Sequence, residues 1–191
     1  RDSYAELESK FPYGRYAQQA QLDSAYAFYK EGETAQAVSA IDRFLKAYPN
    51  HPFLDYALYL KGLANFREDL GPLATYAARQ DFADRDPKAA RESFEIFKDL
   101  VTRFPESRYT PDAYRRMGFL VDALSRHEMH VARYYLNRGA WLSAANRAQT
   151  VVTRFPTSSA RREALEILVQ AYDRMGLTAL RDDARRVLAL N

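Results

Sequence analysis

The chain has 191 residues, 47% hydrophobic and 28% charged, a balance that suits a folded core or several stacked repeats. It contains no cysteine, which excludes disulfides, thiol catalysis and cysteine-based zinc sites, and no apolar run approaches the ~20 residues of a membrane-spanning helix. The net charge of +3 hides an asymmetry: residues 1–106 carry 14 Lys+Arg against 17 Asp+Glu, whereas residues 107–191 carry 14 arginines, no lysine and 8 acids.

Taken in order, the chain is punctuated by proline. At one, five and eight residues before Pro12 stand Phe11, Leu7 and Tyr4. Before Pro49 the same places hold Tyr48, Phe44 and Ile41; before Pro105, Phe104, Leu100 and Phe97; before Pro156, Phe155, Val151 and Ala148. The eighth residue after each of these prolines is alanine (Ala20, Ala57, Ala113, Ala164), the small residue that close helix–helix approach requires. The fourth is aromatic at Tyr16, Phe53 and Tyr109, with Ala160 the exception. This internal repeat predicts an all-α fold, a tetratricopeptide-like α-solenoid of stacked antiparallel helix pairs. Arg1 rather than Met opens the chain, and the residues before Pro12 match only the tail of a repeated helix. The expectation is a chain trimmed inside a repeat, with targeting signals ahead of it.

The first full repeat runs from Pro12 through Gly32 to Pro49, a 37-residue unit close to the ~34 of a tetratricopeptide repeat. The second, from Pro49 through Gly71 to Pro105, has an excess after its glycine, an insertion at about 71–85. Its closing helix has both ends marked: Asp86 to cap it, Pro87 for the first position, Pro105 to stop it. Between them Ala90, Phe94, Phe97, Leu100, Val101 and Phe104 form an apolar stripe. The third repeat, Pro105 to Pro156, has its excess of 14 residues before Gly139, which extends one helix by about four turns. The fourth runs from Pro156 through Gly176 to the end. Two halves follow: 1–106, a remnant and two full repeats with the insertion, and 107–191.

Tyrosines crowd the first half. Tyr13, Tyr16, Tyr26 and Tyr29 belong to the first repeat, Tyr56 and Tyr59 to the equivalent helix of the second. Their rings either line a surface for an extended peptide or fill the space between helices. The insertion is either a cover for that surface or a passive loop. In the third repeat, Arg147 stands nine residues before the proline, where the counterparts are Ala40 and Ile96. Its head lies either in water at the end of a buried seam or against a partner. Tyr134, Tyr135, Arg138 and Trp141 surround Gly139 and are residue types enriched at binding hot spots. The excess of arginine is either a basic surface or a match for an acidic protein.

Chemistry-bearing motifs are scarce. His127 and His130 are three apart rather than the four of a zinc helix, and no Walker loop, nucleophile elbow or dinucleotide fingerprint occurs. No metal, cofactor or nucleic acid is expected, and no catalytic residue.

Four segments together resemble the BamD family of the outer-membrane β-barrel assembly machinery: Pro12-Tyr-Gly-Arg-Tyr-Ala-Gln-Gln-Ala-Gln-Leu, His51-Pro-Phe-Leu-Asp-Tyr-Ala-Leu-Tyr-Leu-Lys-Gly-Leu, Asp84-Arg-Asp-Pro-Lys-Ala-Ala-Arg and Val131-Ala-Arg-Tyr-Tyr-Leu-Asn-Arg-Gly-Ala-Trp. The resemblance spans essentially the whole chain and implies a non-enzymatic adaptor, lipid-anchored at the periplasmic face of the outer membrane, with a signal peptide and lipidated cysteine ahead of Arg1. It implies that the first half reads C-terminal signals of unfolded β-barrel proteins, which end in an aromatic residue, through Tyr13, Tyr16, Gln19, Tyr26, Tyr29, Tyr56 and Tyr59. It implies that the second half docks on the barrel-proximal POTRA domain of BamA, with Arg147 meeting a carboxylate and Arg138, Trp141 and Tyr135 beside it. BamC and BamE are implied as further partners, BamC along the first half. The alternatives are a tetratricopeptide scaffold for another periplasmic or cell-envelope complex, and an enzyme built around His127 and His130.

Overall fold

The computed structural model describes residues 15–70 and 87–190. These form eight helices and, among the described residues, no strand. They are α1 (Arg15–Glu31), α2 (Thr34–Ala47), α3 (Leu54–Leu70), α4 (Lys88–Arg103), α5 (Thr110–Asn137), α6 (Trp141–Arg154), α7 (Arg161–Arg174) and α8 (Thr178–Ala189). The stretch at 71–85, the capping residue Asp86, and the remnant with Tyr4, Leu7, Phe11 and Tyr13 lie outside the described residues. Helices adjacent in sequence pack on one another, α1 through α4 in one series and α6 through α8 in another, the sequential pairing expected of tetratricopeptide-like repeats.

Two kinds of turn build the pairs, and both follow from local chemistry. Within a pair, Gly32, Gly139 and Gly176 take φ of 82°, 70° and 71°, a region costly for any residue with a Cβ. Each lets the next amide reach back five residues: Glu33 N–H to the Phe28 carbonyl at 2.9 Å, Ala140 to Tyr135 at 3.0 Å, Leu177 to Tyr172 at 2.9 Å. This closure satisfies carbonyls that the helix end leaves unpaired. Between pairs, the residue before each proline closes its helix, as in Tyr48 N–H to Phe44 O, Phe104 to Leu100 and Phe155 to Val151. The chain then turns through the same two bonds each time: His51 to Tyr48 and Leu54 to His51, Ser107 to Phe104 and Thr110 to Ser107, Ser158 to Phe155 and Arg161 to Ser158. Pro87 immediately precedes α4 rather than opening it, a one-residue difference of the size expected at helix ends.

Packing divides the described chain into two compact units, one holding residues up to 70 with Lys88–Met117, the other starting at Gly118. In the first, Leu22, Ala25, Ala40, Ile41, Phe44, Leu54, Ala57 and Leu60 form the core. Its tightest seam joins α3 to α4. Gly62 has no side chain, so the fully buried Phe97 ring lies where a Cβ would stand, 2.5 Å from that position, and Ser93 Oγ donates to the Gly62 carbonyl at 3.0 Å. In the second unit, Met129 and Ala132 of α5 meet Ala144, Ala145, Ala148 and Val151 of α6 and Leu165, Leu168 and Ala171 of α7. All four repeat alanines, Ala20, Ala57, Ala113 and Ala164, are buried. The 14-residue excess of the third repeat is helix, as expected: α5 has 28 residues against 14 in α6.

Candidate functional site

The first unit gathers tyrosines on the leading helices of successive repeats. Tyr16 and Tyr26 of α1 are 72% and 41% exposed, Tyr29 is half-buried, and the rings of Tyr26 and Tyr29 lie 6.4 Å apart. Lys30 stands over the Tyr26 ring at 5.6 Å. Gln19, also exposed, donates to Asp23 at 2.8 Å. On α3, Tyr56 and Tyr59 are half-buried, and both meet Tyr109, which stands just ahead of α5. Tyr59 stacks on Tyr109 at 4.7 Å with 18° between planes, and Tyr56 is tilted against it at 5.6 Å. The tyrosines therefore differ by residue: Tyr16 and Tyr26 are exposed, Tyr29 packs against the core, and those of α3 pack between repeats while keeping part of each ring in solvent.

A polar network locks this centre. Asp112 accepts from the Tyr59 hydroxyl at 2.7 Å, from Arg116 Nε at 2.5 Å and from Arg115 Nη2 at 3.1 Å. Burial pushes the Asp112 carboxyl up, but the hydrogen bonds from Tyr59 and Arg116 outweigh it and hold the group below its ordinary value. Arg116 also lies over the Phe66 ring at 5.0 Å. Asp55 accepts from the Tyr56 amide at 2.7 Å and from Ser107 Oγ at 2.6 Å. Burial, with Tyr109, Tyr26 and Asp23 adding to it, pushes the Tyr56 hydroxyl up to about 12, so it stays a protonated donor in neutral solution.

In the second unit the four implied docking residues do not form one cluster. Tyr135 and Trp141 pack against the core, and Arg174 stands 5.5 Å over the Trp141 ring. Arg138, exposed, lies 4.6 Å over the ring of Tyr134, which meets Tyr135 edge-on at 5.6 Å. Arg147 stands apart, six residues beyond Trp141 and thus about 9 Å further along α6. It donates through Nη1 to Glu128 of α5 at 3.1 Å; the Glu128 side chain is 4% exposed and that of Arg147 45%. The arginine that replaces an apolar residue thus has a partner inside its own chain. Several other arginines of this half pair internally as well, among them Arg133 with Glu163 and Arg181 with Asp173.

The family described as YfiO, outer membrane lipoprotein, matches residues 1–187. The outer membrane protein assembly factor BamD of Neisseria meningitidis serogroup A is 51% identical over 188 residues, covering 98% of this chain and 70% of its own. That of Neisseria gonorrhoeae is 50% identical with the same coverage, and that of Vibrio cholerae is 37% identical over 191 residues, 97% of this chain and 76% of its own. The chain belongs to the BamD family. Membership makes it one of a family of outer membrane lipoproteins, and the BamD likeness runs through both units.

Beside the predicted tyrosines stand four residues not among the predicted site residues: Tyr109, Asp112 and Arg116, and Arg108, which lies 4.8 Å over the Tyr109 ring. Tyr109 carried a visible signal, the aromatic fourth place after the proline; the charged residues carried none. Among the described residues no group of three or more His, Asp or Glu could hold a metal ion, and no helix is long and apolar enough to cross a membrane. His127 is half-buried on α5 and His130 is exposed.

Proposed function

We propose that this chain, a non-enzymatic member of the BamD family of outer membrane protein assembly factors, acts as a two-ended adaptor at the periplasmic face of the outer membrane. The first unit recognises C-terminal signals of unfolded β-barrel proteins through Tyr16, Gln19, Tyr26, Tyr29, Tyr56 and Tyr59, together with Tyr13. The second docks on the barrel-proximal POTRA domain of BamA through Arg138, Arg147, Tyr135 and Trp141. BamC and BamE are its further partners, with BamC along the first half. The division at residues 106 and 107 is the functional one in this reading. Its main support is the exposed tyrosine surface of the first unit in a chain of this family. Rigid aromatic side chains carrying a hydroxyl suit an extended strand whose side chains alternate in character.

Family membership favours this reading over a scaffold for an unrelated envelope complex. The test uses two captures with one set of variants. Tyr16→Ala with Tyr26→Ala removes two exposed rings that are not part of the first unit's core, so the fold persists; binding of a barrel-protein C-terminal peptide should fall while POTRA capture persists. Arg138→Ala should do the reverse. Variants that lower both captures together, or neither, refute the assignment of ends.

A further inference from the structure

Arg108 lies beside the tyrosine surface and differs from its neighbouring arginines. Arg115 and Arg116 are committed to Asp112. Arg108 donates through Nη2 to the Tyr109 hydroxyl at 2.5 Å and holds its guanidinium 4.8 Å over that ring. Among the described residues no carboxylate lies within ion-pair distance of it. An arginine fork has five N–H donors, so most remain open, and stacking on the ring fixes the plane in which they point. Asp55, close enough to act on Arg108, has each carboxylate oxygen already accepting, from the Tyr56 amide and from Ser107.

A second donor stands close by. The hydroxyl of Tyr56 makes no hydrogen bond among the described residues, and its ring meets Tyr109 at 5.6 Å. Arg108 lies near enough to act on its ionisation. Arg108 and Tyr56 thus present an oriented cation and a neutral O–H that both border Tyr109, on which Tyr59 also stacks. Two unsatisfied donors bordering aromatic faces match a ligand that joins a carboxylate to a planar apolar ring. In a polypeptide, that combination in one residue is an aromatic C-terminal residue with a free α-carboxylate.

We infer that Arg108, with the Tyr56 hydroxyl, reads the terminal carboxylate of a bound peptide, while the rings of Tyr56 and Tyr109 take its last aromatic side chain. The inference rests on the peptide-reading role of the first unit and adds to it the chemical feature that is read. An internal segment of the same sequence lacks the carboxylate and binds more weakly, so the site distinguishes a finished chain end from a similar stretch within a chain.

The experiment uses the full chain and two fluorescent decapeptides of one alternating apolar–polar sequence ending in Phe, one with a free α-carboxylate and one amidated. Fluorescence anisotropy with the unaltered chain should give about tenfold weaker binding for the amide, the size of one lost charge-assisted hydrogen bond. Arg108→Gln should weaken the free acid to the level of the amide and leave the amide unchanged. Arg108→Lys, which keeps the charge but not the fork, should fall between. Because Arg108 is exposed, thermal melts of the variants should coincide with that of the parent. If both peptides bind the unaltered chain equally and better than a scrambled control, the carboxylate inference is overturned and the peptide-reading role stands. If neither exceeds the control, both are overturned.

Discussion

Arg147→Gln is the perturbation whose outcome depends most on the geometry. Glu128 is almost wholly buried where α5 meets α6, and Arg147 reaches it from a half-exposed position. Breaking a fully buried ion pair from one side costs about 3–5 kcal/mol, whereas exposed pairs are worth about 0–1 kcal/mol. With one partner buried and the other half in water, the expected loss is about 2 kcal/mol. For a chain of this size that is roughly a 4–8 °C fall in Tm. Glu128→Gln removes the charge that Arg147 faces, so Glu128→Gln/Arg147→Gln should recover about 1–2 kcal/mol relative to the sum of the single changes. Urea unfolding of the parent, both single variants and the double variant supplies the cycle. Additive changes would refute the pairing. The result also governs how docking is measured: Arg147→Asp sets a second carboxylate against Glu128, so lost POTRA capture by that variant mixes binding with folding. Arg147→Gln in the Glu128→Gln background separates the two.

Three further outcomes follow from packing and titration. Gly62→Ala should cost about 2 kcal/mol in urea, since the ~1 kcal/mol alanine gains in a helix does not offset displacement of the buried Phe97 ring. Gly118→Ala on α5, with nothing within 4 Å of its added Cβ, should instead stabilise by about 0.5–1 kcal/mol. Asp112 binds its proton more weakly in the native fold than in the unfolded chain, so its contribution is complete above its ordinary value of 3.8 and vanishes as pH falls through the lower native value; Asp112→Asn should flatten acid unfolding in that window. Tyr56 behaves oppositely: its contribution is complete below the ordinary 10.0 and disappears as pH rises through about 12. Burial and the bond to Asp112 also raise Tyr59, so a near-ultraviolet tyrosinate titration should show late tyrosines, of which Tyr56→Phe removes one.

The fold was legible because its signals are local. A proline that cannot continue a helix, a glycine that alone accepts a positive φ without strain, and an alanine where two helices touch each act through the backbone within a few residues. Hence the turns at Gly32, Gly139 and Gly176, the proline-led turns and the long α5 could be read from spacing. The site was less legible because its meaning is set across helices. Tyr56 and Tyr59 look alike in sequence, yet one hydroxyl is held by Asp112, 53 residues on, and the other makes no bond among the described residues. Arg147 stood out through the repeat alignment, but its partner Glu128 lies in the extension of α5, which has no counterpart in the other repeats to set its register. Arg138 and Trp141 flank Gly139 in sequence, but the turn sends Trp141 towards the core and Arg174 while Arg138 lies over Tyr134.

The tyrosine surface has a stiff centre and a free margin, and this bears on what it can hold. Tyr59 is fixed twice, by stacking on Tyr109 and by its bond to Asp112, which the two arginines hold in turn. A ring immobilised before binding costs a ligand little ordering entropy, so the centre favours one geometry. Tyr16 lies largely in solvent and Tyr26 partly so, neither with such a clamp, and two side-chain torsions suffice to follow a varying neighbour. Phenylalanine at these margins would add apolar exposure without a group for water to bond, whereas tyrosine keeps the unliganded surface wet. A centre that selects and a margin that adapts suit ligands that share one terminal feature and differ upstream. If the proposed reading holds, chemical discrimination falls at Tyr56, Arg108 and Tyr109 and affinity at Tyr16 and Tyr26, so a margin variant should weaken free-acid and amidated peptides by the same factor.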